Sequence, residues 1–161
     1  MNQSMVSQDG VVVERVFDAP AAFIWRAWTN PEDFKQWYGP TGLTVPKAEL
    51  DVWVNGRRLV CMASPDGSKQ MWTVGTHKEL VPNTRLAYTE SPSDEQGNAV
   101  SPEAMGMPPG FPAETMVTVT LAEENGRTYL TLTHTGVPEG AAGGWNMAFD
   151  KLADYIKATQ P

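Results

Sequence analysis

The spacing of hydrophobic and polar positions changes several times along the chain, and each change marks an element. Val11-Val-Val-Glu-Arg-Val-Phe17 is rich in β-branched residues and reads as a first strand. Asp18-Ala-Pro20 stops it, and an acid followed by Pro near the first helical position is a helix-start signal. From Ala21 the period becomes helical, with Phe23, Ile24, Ala27 and Trp28 gathered on one side. Asn30-Pro-Glu-Asp33 repeats the start signal: Asn30 caps, Pro31 takes the first turn, and the acids suit the positive end of the helix dipole. Phe34, Trp37 and Tyr38 are the apolar positions of this second short helix, which Gly39-Pro-Thr-Gly42 ends.

Strands follow. Leu43 to Val54 is read as one, with Asn55-Gly56 as a tight hairpin turn into Arg57 to Ala63. Ser64-Pro-Asp-Gly67 turns the chain into Lys69 to Val81, and Pro82-Asn83 into Thr84 to Glu90. In Glu114 to Ala122, Val117, Val119 and Leu121 alternate with Thr118 and Thr120. Glu123-Glu-Asn-Gly126 leads into Arg127 to His134, where Leu130, Leu132 and His134 share a face. The run predicts an antiparallel meander with one face covered. The final element, Trp145 to Lys157 after Gly143-Gly144, places Trp145, Ala148, Phe149, Leu152 and Ile156 in one apolar stripe. Such a stripe must be buried, and the meander is the partner available. A single domain over 10–161 is expected, after a flexible tail over 1–9. The segment 91–113 breaks the rhythm with five prolines and three glycines. A lid, a partner-binding flap, a passive excursion and disorder are all open for it.

Composition narrows the function classes. A net charge of −7 argues against nucleic acid, since phosphate neutralisation needs clustered Lys and Arg. No basic residue lies between Arg85 and Arg127, whereas Glu90, Asp94, Glu95, Glu103, Glu114, Glu123 and Glu124 do. Solubility is the ordinary reading of that asymmetry, and a basic protein partner the sharper one. The lone Cys61 forms no internal disulfide and joins no Cys/His cluster, which suits a cytoplasmic location with no metal. The N-terminus lacks the basic start and apolar run of a secretory signal, and no stretch reaches the length of a membrane span.

Catalytic chemistry leaves little trace. His134, in phase with Leu130 and Leu132, is either a hydrogen-bonded structural histidine or an acid–base group at a cavity. His77, out of phase with Trp72, Val74 and Leu80, is expected to face solvent. Glu49 and Asp51 share a strand face and could meet Arg57 or Lys69. No phosphate-cradling glycine motif, no nucleophile elbow and no cofactor motif is found.

Several local strings point to a family. Val16-Phe-Asp-Ala-Pro20, Trp25-Arg-Ala-Trp-Thr-Asn-Pro31, Trp37-Tyr-Gly-Pro40, Pro65-Asp-Gly67, Pro82-Asn-Thr-Arg-Leu86, Gly144-Trp145 and Asp150-Lys-Leu-Ala153 resemble the START-like SRPBCC superfamily. They are most similar to the branch named for the activator of heat-shock-protein-90 ATPase, over roughly Val11 to Lys157. The resemblance implies an α+β helix-grip fold: a curved antiparallel sheet wrapped around a long C-terminal helix, with two short helices after the first strand. It also implies a cavity between sheet and helix. Trp37, Met62, Trp72, Tyr88, Met116, His134, Trp145 and Phe149 are the expected lining, with Tyr88 or His134 orienting a small apolar or aromatic ligand. Fold analogy leaves the activity open. A non-catalytic binder leads; a co-chaperone-like interaction module and a cyclase or hydrolase using His134 and Tyr88 are the alternatives. A homodimer is also compatible with the many aromatic and Met residues.

Overall fold

The computed structural model describes residues 10–107 and 110–159, so the expected tail over 1–9 lies outside the described residues. Strand β1 (Val11–Phe17) is followed by helices α1 (Ala21–Thr29) and α2 (Pro31–Phe34). Six strands come next: β2 (Thr44–Leu50), β3 (Arg57–Ala63), β4 (Gln70–Val81), β5 (Arg85–Ser93), β6 (Thr115–Glu124) and β7 (Arg127–Thr135). Helix α3 (Ala141–Thr159) closes the chain. The strands form one antiparallel sheet in the order β1-β7-β6-β5-β4-β3-β2, so β2 to β7 run as a meander and β1 pairs beside β7. This curled sheet with its long C-terminal helix is the helix-grip fold.

The inner face of the sheet carries Val13 and Phe17 of β1, Leu130 and Leu132 of β7, Val117 and Val119 of β6, Leu86 and Tyr88 of β5, and Val60 of β3. Against it pack Trp145, Ala148, Phe149, Leu152 and Ile156 of α3, the stripe read from the periodicity. Helix α1 buries Phe23, Ile24, Ala27 and Trp28 in the same core. The start of α2 follows its sequence signal, for the Asn30 side chain accepts a hydrogen bond from Glu32 N at 2.9 Å. Helix α1 likewise begins at Ala21, after Pro20, but the Pro20 ring carries no capping acceptor, and Glu123 of β6 caps Ala21 N at 2.8 Å instead. A cap supplied across 102 residues of sequence leaves no local trace.

Three expectations are corrected. Asn55-Gly56 is not a two-residue hairpin turn: β2 ends at Leu50, and residues 51–56 form the connection, where Asn55 N donates to His77 O and His77 N to Gly56 O. Asn55 does adopt the left-handed conformation (φ 71°) that Asn tolerates. His77 is not exposed but fully buried. A bulge between His77 and Glu79 shifts the phase of β4, so His77 pairs with Tyr88 and Leu80 with Leu86, all on the inner face. Finally, Glu49 meets Lys47 at 2.9 Å rather than Arg57 or Lys69.

The irregular segment is partly ordered by its own polar groups. Ser91 to Ser93 continue β5, and Ser93 bridges to Ala99 around a turn where Asp94 Oδ1 accepts from Gln96 N and Asn98 N. Arg57 Nη2 donates to Gln96 O at 2.8 Å, tying the turn to the outer side of β3.

Candidate functional site

A pocket of about 210 Å³ lies between α3 and the inner face of the sheet. It exists because of the residue sizes along α3. Ala141, Gly144 and Ala148 leave a small-residue track over the sheet at the helix's N-terminal end, while Phe149, Leu152 and Ile156 fill the space further along. The remaining wall is Tyr38, Gly39 and Pro40 after α2, Met62 of β3, Glu90 of β5, His134 of β7 and Trp145 of α3. Gly39 has a left-handed φ of 90°, and a Cβ there would stand 2.9 Å from Met62 Sδ, so a larger residue would close this side. Lys151 holds the rim by donating to Tyr38 O, Pro40 O and Leu43 O, and burial lowers its pKa.

Two hydrogen-bonded chains end at the pocket. In the first, the Tyr38 hydroxyl donates to Glu90 Oε2 at 3.3 Å and lies 2.8 Å from the Tyr88 hydroxyl. A carboxylate only accepts, so the Tyr38 proton is committed to Glu90 and Tyr88 is the donor to Tyr38. Burial raises the pKa of both phenols; the Glu90 charge adds to this at Tyr38, while the Arg58 cation opposes it at Tyr88. Behind them Arg58, only 2% exposed, sets its guanidinium 3.4 Å from the Tyr88 ring centroid and 5.5 Å from that of Phe34. No carboxylate among the described residues lies within ion-pair distance of it.

The second chain fixes the state of His134. An indole N–H only donates, so the 3.0 Å contact from Trp145 Nε1 makes His134 Nδ1 an acceptor. The proton of the neutral ring is then on Nε2, which donates to Thr115 Oγ1 at 3.0 Å, and that hydroxyl in turn donates a hydrogen bond to Glu90 O at 3.3 Å. Burial lowers the His134 pKa, with the Glu90 charge opposing, in keeping with a neutral ring. Both nitrogens are thus occupied, and in this state His134 has no free lone pair with which to act as a base.

Of the residues expected to line the cavity, the structure brings Met62, His134 and Trp145 to the pocket wall. Tyr88, Trp37 and Phe149 lie one layer behind: Tyr88 touches the wall through Tyr38, Trp37 is held by its Nε1 donating to Ala27 O, and Phe149 packs 5.8 Å from the Trp145 ring. Trp72 and Met116 are corrected. Trp72 pairs with Cys61 and Ser93, and Met116 with Thr89, all on the outer face. A strand side chain one position out of phase cannot reach the other side of its sheet. Tyr38, Glu90 and Arg58 were missed, although Glu90 follows Tyr88 by two positions and Arg58 precedes Val60 and Met62 in the same alternation. No described residue of 91–113 lines the pocket. Among the described residues no group of three or more His, Cys, Asp or Glu could hold a metal ion, and no helix is long and apolar enough to cross a membrane.

His77 predicts an acid-side loss of stability. Burial, and next the Arg58 charge, lower its pKa from 6.5 to about 4, against a smaller upward pull from the backbone at Asp51 and Gly56, and neither ring nitrogen has a partner in good hydrogen-bonding geometry among the described residues. Between those pH values the unfolded chain binds a proton that the native protein refuses. The contribution is therefore complete above pH 6.5 and is lost as the pH falls towards 4. The expected loss is on the order of 2 kcal/mol, allowing for screening, and is read from urea midpoints at pH 7 and 4.5. His77→Leu should flatten the profile; an unchanged slope in that variant would assign the acid sensitivity elsewhere.

The model of the family described as activator of Hsp90 ATPase homolog 1-like protein matches residues 18–157. Among solved structures, a protein of Chromobacterium violaceum is similar with 24% identity and a TM-score of 0.76, over 92% of this chain and 97% of that one. A protein of Mycobacterium smegmatis shares 18% identity with a TM-score of 0.76, over 96% of this chain and 94% of its own. The AHSA1 protein from Silicibacter pomeroyi shares 21% identity with a TM-score of 0.71, over 92% and 97%. Among curated proteins none matches the chain.

Proposed function

Because the chain belongs to the activator of Hsp90 ATPase homolog 1-like family, a fold compatible with ligand binding, we propose that it binds one small apolar or aromatic molecule between α3 and the sheet. The observation that carries this reading is the pocket itself: about 210 Å³ of space with mostly apolar walls and a few placed polar groups. A cavity of about 150 Å³ holds benzene, so this volume suits a single bicyclic ring system or a short branched chain. Trp145 is the natural reporter, since its ring forms part of the wall. The reading without chemistry is favoured over an enzyme because both nitrogens of His134 and the Tyr38 proton are committed to neighbours.

The test is a titration with small bicyclic aromatics followed by tryptophan fluorescence. Saturable quenching is expected for the native protein. Gly144→Leu should abolish it: helix α3 accepts Leu better than Gly, and the site of the new side chain has its nearest neighbour 3.8 Å away, at Pro40 Cγ. The variant is expected to keep its melting temperature while losing at least about tenfold in affinity, as an occluded pocket requires. Equal binding by both proteins would place the ligand elsewhere and remove this assignment.

A further inference from the structure

The pocket's polar groups are unequal, and the inequality specifies a ligand charge. Among the described residues Glu90 is the one carboxylate on the wall, and no Lys or Arg lines it. Its Oε2 accepts from Tyr38, while among the described residues Oε1 accepts no hydrogen bond and no cation lies within ion-pair distance of Glu90. The nearby cations are otherwise engaged. Arg58 is buried against the Tyr88 ring, and Lys151 serves three backbone carbonyls at the rim. His134 is neutral in the state its partners impose, and it presents no charge to the cavity.

We propose that the ligand is an organic cation: a small aromatic or apolar body bearing an amine, whose nitrogen donates to the Glu90 carboxylate. The proposal rests on the pocket being a binding site and adds the chemistry of its occupant. Tyr38 and Trp145 meet there nearly at right angles, with ring centroids 5.6 Å apart and an interplanar angle of 82°. Such a corner offers aromatic faces to an ammonium group as well as to the apolar body of the ligand. A charge-assisted hydrogen bond in a partly dry site outweighs a neutral one, and the same carboxylate repels an anion. The Tyr88–Tyr38 chain holds Glu90 in place before the ligand arrives, which lowers the ordering cost of binding. The protein's net charge of −7 further favours approach by a cation.

Three probes of one shape separate the possibilities: 1-naphthylmethylamine, 1-naphthylmethanol and 1-naphthoate, titrated calorimetrically into the full chain at pH 7. The amine is expected to bind about tenfold more tightly than the alcohol, with the acid weakest. In Glu90→Gln, which keeps an acceptor for Tyr38, the amine's advantage over the alcohol should vanish. Tyr38→Phe, which leaves the carboxylate but frees it to move, should reduce the advantage severalfold without reversing the order. Equal affinities for all three probes in the native protein, tightest binding of the acid, or an undiminished amine preference in Glu90→Gln would overturn the cation proposal and leave the apolar pocket standing. No binding of any probe would remove the pocket reading as well.

Discussion

Phe149→Ala is expected to lower stability by about 4 kcal/mol. Phe149 is fully buried on α3, and its ring meets those of Phe17, Trp28, Trp37 and Trp145 at centroid distances of 5.7, 6.4, 6.1 and 5.8 Å. Truncation forfeits the transfer of the ring and leaves a void that its surroundings cannot collapse, because Phe17 of β1, Trp28 of α1, Trp37 in the turn after α2 and Trp145 of α3 all pack on it. For a chain of this length such a loss lowers the melting temperature by about 10 °C, readable by calorimetry. Phe149→Leu keeps most of the volume and should cost only about 1.5 kcal/mol. The void adjoins Trp145, so Phe149→Ala should also broaden the range of ligand sizes bound. A change below about 1 kcal/mol would show that the aromatic cluster is looser than the ring geometry indicates.

Gly75→Ala should cost about 3 kcal/mol, more than a methyl group ordinarily costs in a strand. Here β4 and β5 approach so closely that an added Cβ would stand 1.7 Å from Thr89 O. Backbone cannot yield as a side-chain tip does. Beside it the ladder is replaced by a side-chain bond, Thr76 N donating to Thr89 Oγ1 at 3.0 Å. Prying the strands apart would displace Tyr88 and Glu90, which flank Thr89, so probe affinity at the pocket should fall together with the urea midpoint. Retained affinity with lowered stability would mean that the Tyr88–Tyr38–Glu90 chain survives strand separation.

These two sites differ in how far they could be read in advance. The burial of Phe149 follows from helical spacing, since its stripe partners Trp145, Ala148, Leu152 and Ile156 recur at the helical period. The tightness at Gly75 does not, because nothing beside it in the chain announces that the Thr89 carbonyl will press against it. The same contrast divides the lining residues. His134 was placed inward by its alternation with Leu130 and Leu132, and the structure agrees. Met116 alternates against Val117 and Val119, so its outward direction was available from the same pattern. Trp72 was not decidable in that way, for the faces of β4 depend on the bulge at His77–Glu79 and on its partners in β3 and β5.

Periodicity and turn chemistry therefore settled the elements, their order and the buried stripe of α3, because these depend on neighbours three, four or two positions apart. The family strings added the curvature and the grip. The hollow itself arose from the juxtaposition of Ala141, Gly144 and Ala148 with Met62 and His134, residues brought together from three elements. Its polarity came from pairings such as Tyr38 with Glu90, 52 positions apart. Contacts at that range carry no local period, so only the folded chain could reveal which acid stands at the pocket and which cations are already spent.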